Sequence, residues 1–102
     1  MAVRRTARWQ WSLDDRILEH LRDESLSTAD YMATLPNIHA TEAQVQERCE
    51  ILADVDLVSF VTNDAELVEL TIWGKRYLEG ELDVELQPHP RHPTAIRSSL
   101  EV

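Results

Sequence analysis

Apolar residues near the start of the chain recur at the spacing of an α-helix. One helical face contains Leu13, Ile17, Leu18 and Leu21. Ser12 is a suitable N-cap because Asp15 follows three residues later, in an acidic variant of the capping box. This pattern predicts a first helix over Leu13–Asp23.

A second helix is predicted to begin after Ser27 or Thr28. It runs to about Leu35, because Pro36 disfavours helical geometry in the residue before it.

A third helix is predicted over Glu42–Asp54. Thr41 and Gln44 form a capping box at its start. Its buried face is expected to contain Val45, Cys49 and Leu52.

After residue 56 the pattern changes from helical to extended. The runs 57–62 and 66–71 are rich in β-forming residues, and turn-forming residues separate them, which predicts a β-hairpin. Thr71 can then cap a short fourth helix, Ile72–Glu79, with Gly80 in the C′ position.

Three helices followed by a hairpin predict a winged helix-turn-helix, a mainly α fold with a small β-hairpin (α+β). In that fold the third helix ordinarily enters the major groove of DNA. We expect the domain to span residues 12–84. A basic N-terminal arm, 1–11, precedes it, and a tail that contains proline and histidine, 85–102, follows it.

Three segments resemble a known family. Trp11–Leu21 contains Asp-Asp-Arg-Ile-Leu-Glu, Val45–Ala53 lies in the third helix, and Leu70–Asp83 reads Leu-Thr-x-x-Gly-x-x-Tyr-Leu-x-Gly-Glu-Leu-Asp. Over residues 9–84 the chain resembles the phage-repressor-like winged-helix proteins of haloarchaea, distant relatives of the MarR type. The resemblance implies transcriptional control and a salt-adapted host. The chain departs from the family at Asp56, where glycine is usual and where aspartate adopts the left-handed conformation less easily.

The balance of charges limits the choice of partners. Nineteen acidic residues face ten basic ones, the formal net charge is −9, and Lys75 is the single lysine. Such a composition is typical of proteins in concentrated salt, although an ordinary acidic cytosolic protein would share it. Because phosphate contacts come from cations, DNA binding requires a local basic patch.

The candidate DNA contacts form three groups. The outward face of the third helix is predicted to present Ala43, Gln46, Glu47 and Glu50. Glutamate can accept from cytosine and glutamine can bind adenine, but carboxylates repel phosphate. The arm supplies Arg4, Arg5 and Arg8, which could follow a DNA groove or could pair with the acidic body of the protein. The fourth helix supplies Lys75 and Arg76, whereas the predicted wing, Thr62–Glu66, contains no cation.

Other distinctive residues have simpler interpretations. Arg48 is predicted to form a structural ion pair with a carboxylate of the first or second helix. Cys49 is predicted to be a core residue rather than a redox sensor. Trp11 is expected to cover the end of the first helix, and Trp9 could lie at a dimer interface. The pair His89 and His92 lacks further ligands, so we predict no metal site.

Enzymatic function is not expected. The chain has two glycines, too few for a phosphate-binding loop, and no Ser-His-Asp arrangement stands out, so we predict no catalytic residues and no cofactor. A lone cysteine excludes an internal disulfide and fits the cytoplasm. No apolar run approaches the ~20 residues that span a membrane.

The leading hypothesis is therefore a transcription regulator that binds double-stranded DNA as a homodimer, joined through the N-terminal tryptophans or the segment after Gly80. The alternative is a winged-helix protein-interaction module that has lost canonical DNA contact.

Overall fold

The computed structural model describes residues 3–90. In chain order this part contains α1 (Ser12–Glu24), β1 (Leu26–Ser27), α2 (Ala29–Ala33), α3 (Glu42–Asp54), β2 (Val58–Phe60), β3 (Val68–Leu70), α4 (Ile72–Leu78) and a 3-10 turn, η1 (Val84–Leu86). Within residues 3–90, no helix combines the length and the apolar character that a membrane crossing requires.

The three strands form one antiparallel sheet in which β3 lies between β1 and β2. In the β2–β3 hairpin, Ser59 lies opposite Glu69, and the Val61 N–H donates to the Leu67 carbonyl at 2.8 Å. The predicted α+β winged-helix fold is confirmed. The strand β1 was not predicted, because two residues are too few to show the alternation of a strand.

Local capping fixes the start of α3 and of α4. The Thr41 hydroxyl accepts from the Gln44 N–H at 3.2 Å, and the Gln44 side chain accepts from the Thr41 N–H at 2.9 Å. At α4 the Thr71 hydroxyl accepts from the Gly74 N–H at 3.1 Å. Both predicted caps are confirmed, and so are the bounds of the third helix. Gly80 has a φ of 78°, as expected for a residue that follows a helix.

The predicted cap of α1 is wrong by one residue. Ser12 lies inside the helix, the N-cap is Trp11, and the Asp14 carboxylate accepts from the Trp11 N–H at 3.0 Å. Asp15 instead accepts from the Tyr77 hydroxyl at 2.6 Å. Asp14 takes the capping position because Arg48 of α3 holds its carboxylate in the interior.

The core forms between α1, α2, α3 and the sheet. The predicted members Ile17, Leu18, Leu21, Val45, Cys49 and Leu52 are all buried, and Leu13 is partly buried. Met32 of α2 is buried with them. Burial, with the nearby charges of Asp14 and Glu50, raises the pKa of the Cys49 thiol to about 12. The thiol therefore stays protonated near neutral pH, which agrees with a packing role.

Residues near both ends of the described chain close the core. Ala7 and Trp9 are buried, and so is Val84 of η1. The Val84 N–H donates to the Arg5 carbonyl at 3.1 Å. The N-terminal segment thus packs along η1 as part of the folded body.

Candidate functional site

The wing is a short loop between β2 and β3, and the Thr62 hydroxyl makes several of its hydrogen bonds. Thr62 Oγ accepts from the Leu67 N–H at 3.2 Å and donates to the Asp64 carboxylate at 2.6 Å. That hydrogen bond lowers the pKa of Asp64 below its ordinary value, so the ionised carboxylate gives the wing tip a negative charge. Ala65 adopts a φ of 57°, which turns the chain back toward β3.

Gln46 connects α3 to the wing. Its Nε2 donates to the Ala65 carbonyl at 3.2 Å and to the Glu50 carboxylate at 3.1 Å. Of the other predicted helix-three residues, Ala43 and Glu50 are exposed and Glu47 is partly buried. The outward face that the helical period predicts is therefore present, but the side-chain amide of Gln46 already makes hydrogen bonds within the protein.

An acidic groove of about 460 Å³ lies between α2, the first turns of α3 and the wing. Ala43 and Gln46 line it, together with the four carboxylates of Asp30, Glu42, Asp64 and Glu66. A hydrogen bond from the Thr28 hydroxyl lowers the pKa of Asp30. We call this the wing groove. Its charge repels phosphate at the place where a winged helix ordinarily meets DNA.

The arginines of the N-terminal segment lie elsewhere, and two of them are paired. Arg4 contacts the carboxylates of Asp15, at 3.5 Å, and of Glu19. The Arg8 backbone N–H donates to Glu85 at 2.8 Å, and its guanidinium lies 3.3 Å from the same carboxylate.

The hydrogen bond from the Arg8 N–H, followed by those from its side chain, lowers the pKa of Glu85. Arg5 is exposed. The sequence allowed the arginines either to follow a DNA groove or to pair with the acidic body of the protein. In this structure Arg4 and Arg8 pair with the acidic body.

The cations of α4 are far from the wing groove. Lys75 and Arg76 are exposed, and the Arg76 guanidinium lies 5.2 Å from the centre of the Trp73 ring. The start of α4 adjoins Ala53, in the last turn of α3, whereas the wing groove adjoins the first turns. At ~1.5 Å per residue the two ends of α3 are well separated. The structure therefore does not gather the predicted DNA contacts into one patch.

Arg48 is buried and belongs to the interior. Its guanidinium pairs with Asp14 of α1, donates to the Trp9 carbonyl at 3.2 Å and lies 4.3 Å from the centre of the Trp11 ring. The predicted structural ion pair is confirmed. Trp9 is only 5% exposed, so its side chain is not available for the dimer interface that the sequence suggested.

Two features of the surface were missed by sequence reasoning. The wing groove depends on Asp30 and Glu42, which are first-turn acids of α2 and α3 and which by themselves indicate only favourable helix starts. Trp73 occupies a variable position of the motif in Leu70–Asp83, and nothing in its neighbours predicts that it is exposed. Within residues 3–90 no three histidine, cysteine or acidic side chains cluster as metal ligands. His92 lies outside the described residues.

The fold and part of the sequence are similar to a known repressor-like protein. The crystal structure of the PhiH1 repressor-like protein from Haloarcula marismortui superposes with a TM-score of 0.81 and is 29% identical in sequence. The alignment covers 87% of this chain and 99% of that one. No protein-family model and no curated protein matches this chain. The similarity is consistent with a haloarchaeal, repressor-like family.

Proposed function

We propose that this protein is a repressor-like transcription regulator that binds double-stranded DNA in a cell of high internal salt. The observation that supports this function is the similarity to the PhiH1 repressor-like protein over nearly its whole length. At molar salt the screening length falls to ~3 Å. The carboxylates of the wing groove then repel phosphate only at short range, so an acidic reading surface is compatible with DNA contact.

In this proposal the arginines of the N-terminal segment supply most of the affinity. Arg5 is exposed and ready to contact a phosphate, whereas Arg4 and Arg8 must exchange a carboxylate for a phosphate. Lys75 and Arg76 are further candidate phosphate contacts, and Gln46, Glu47 and Glu50 are candidates for contact with base edges.

The test is fluorescence anisotropy of a labelled promoter duplex from the host, titrated with the full chain across a KCl series. Replacing Arg4, Arg5 and Arg8 by alanine should weaken binding and flatten the slope of log affinity against log salt by roughly 3, at ~0.9 per contact. Arg22→Ala is a matched control, because Arg22 is an exposed arginine of α1 outside the N-terminal segment. It should leave the slope unchanged. Absence of binding at every salt concentration that keeps the protein folded would exclude direct DNA contact.

The acidic side chains of α3 are tested by a second pair of substitutions. Glu47→Gln with Glu50→Gln should leave the affinity equal or higher, because two charges that repel phosphate are removed. The same change should relax the sequence preference, since a carboxylate that can accept from cytosine is lost. A large loss of affinity for every duplex would contradict these roles.

The wing groove favours a second candidate function, a protein-interaction module that binds a basic partner. Its four carboxylates lie beside the wing, where no cation is present between Thr62 and Glu66. The probe is a fluorescent arginine-rich peptide in place of DNA. This candidate requires that the peptide binds, that Asp64→Asn with Glu66→Gln abolishes its binding, and that promoter duplexes do not bind.

A further inference from the structure

The first turn of α4 presents two large apolar side chains to solvent. Ile72 is 58% exposed and Trp73 is 45% exposed. An isolated apolar side chain on a surface is ordinary, but these two are adjacent and each borders a hollow.

A groove lies on each side of Trp73. The first, of about 480 Å³, is lined by apolar parts of Ala53, Val58, Phe60 and Ile72. The second, of about 270 Å³, is lined by Val55, Leu57, Leu82, Val84 and Pro88, and by the polar side chains of Asp54 and Gln87. Asp56 lines both grooves. We call Ile72, Trp73 and the two grooves the α4 face. An aromatic ridge between two partly apolar hollows has the shape of both a knob and its hole.

The α4 face carries charges of both signs around its apolar centre. Lys75 and Arg76 lie on the helix itself, Asp56 lines both grooves, and Asp54 lines the second. The wing groove, in contrast, is lined by carboxylates without a cation. With a net charge of −9, two copies of this chain repel each other over most approaches. With two cations beside two carboxylates, the α4 face opposes less like charge than the wing groove does.

We propose that the α4 face is the interface of a homodimer. In a two-fold interface the same surface of both copies is buried, so the surface must be complementary to itself. Here Trp73 of each copy would enter a groove beside Trp73 of the other, and Lys75 or Arg76 would approach Asp56 of the partner subunit. Aromatic anchors that fill a pocket at the centre of an interface commonly dominate the binding energy.

This inference places dimer contact on α4 rather than at the N-terminal tryptophans. It does not depend on DNA binding, and its test uses no DNA.

Sedimentation velocity of the full chain in concentrated KCl measures the association directly. The wild type should form a dimer that dissociates on dilution, and Trp73→Glu should weaken the dimer by at least ~30-fold, the effect of losing an interface hot spot. Tyr31→Glu is the matched control, because Tyr31 is an aromatic residue with 49% exposure on α2 and the same charge is introduced. It should dimerise like the wild type. Circular dichroism and thermal melting confirm that both variants are folded.

A site-specific signal identifies the surface involved. The chain has three tryptophans, so protein labelled with 5-fluorotryptophan should give three fluorine resonances, and Trp73→Phe assigns one of them. The Trp73 resonance should shift with protein concentration while those of Trp9 and Trp11 stay fixed.

Three results would overturn the proposal: a wild type that is monomeric at every concentration, a Trp73→Glu variant that dimerises as tightly, or a concentration-dependent shift confined to Trp11. In a monomeric wild type, a Trp73 side chain shielded from solvent would show that another part of the same chain covers the face.

Discussion

Arg48 of α3 and Asp14 of α1 are joined by two hydrogen bonds in the interior of the domain. Nε donates to Oδ1 and Nη2 donates to Oδ2, both at 2.8 Å. The same Asp14 carboxylate caps α1 by accepting from the Trp11 N–H. One side chain therefore fixes both the start of α1 and the position of α3 against it, and the Trp11 ring covers the guanidinium.

We expect Arg48→Met to lower the free energy of unfolding by about 3–5 kcal/mol, because Asp14 would remain buried without its counter-charge. Denaturant titration measures the loss. Arg48→Met with Asp14→Asn should cost less than the sum of the two single changes, since no buried charge is left. Arg22→Met, at an exposed arginine, should stay within about 0.5 kcal/mol of the wild type. An Arg48→Met variant as stable as this control would contradict the role of the ion pair.

Gly74→Ala should destabilise the domain although the helix propensity of alanine is higher. A Cβ at this position would lie 2.2 Å from the Leu57 carbonyl oxygen and 2.5 Å from Leu70 Cδ1, so α4 would have to move away from the sheet. Overpacking of this kind typically costs about 1–3 kcal/mol. The melting temperature should fall, whereas Gly80→Asn, at a left-handed position that asparagine tolerates, should change it much less. A Gly74→Ala variant with a raised melting temperature would show that α4 is not held against Leu57 and β3.

Tyr77 should ionise at unusually high pH. Burial, followed by its hydrogen bond to the Asp15 carboxylate, raises the pKa of Tyr77 to about 12 from an ordinary value of 10. Because the folded-state pKa is the higher one, its contribution to stability is fully present below pH 10 and is lost as the pH rises through 12.

In the Tyr31→Phe variant Tyr77 is the only remaining phenol, so its absorbance at high pH reports this one group. Ionisation at the ordinary pKa, in a protein that circular dichroism shows to be folded, would contradict the contact with Asp15.

Concentrated KCl should stabilise the fold. The chain has a formal net charge of −9, and salt shortens the screening length from ~10 Å at 0.1 M to ~3 Å at 1 M. The melting temperature should therefore rise substantially from low to molar KCl. Neutralising the wing groove with Glu42→Gln, Asp64→Asn and Glu66→Gln should reduce this salt dependence. A melting temperature that stays flat or falls in the wild type would count against adaptation to salt.

Elements whose boundaries depend on adjacent residues could be predicted from the sequence. The third helix has the expected bounds because Thr41 and Gln44 satisfy each other locally. The cap of α1 was assigned one residue late, because the choice between Asp14 and Asp15 is made by Arg48, which is 34 residues away. The strand β1 exists only through its pairing with β3.

In the candidate site, too, the local sequence pattern predicts some features, while distant contacts determine the others. The helical period correctly placed Ala43 and Glu50 on the exposed face of α3. It could not reveal the partners of the arginines, since Arg8 pairs with Glu85 across 77 residues. Those contacts exist because the N-terminal segment packs along η1, and that arrangement arises from tertiary packing rather than from a local pattern.

The bridge from Gln46 to the wing has a consequence for how a base could be recognised. Both hydrogens of its amide are bound, one to the Ala65 carbonyl and one to Glu50. An adenine that takes a bidentate contact from this amide would need one of these two donor hydrogens, and a contact that displaces the Ala65 carbonyl would release the wing tip from α3. Where adenine displaces the Ala65 carbonyl rather than Glu50, base readout and wing attachment are alternative uses of one side chain, so sequence preference and wing mobility would change together.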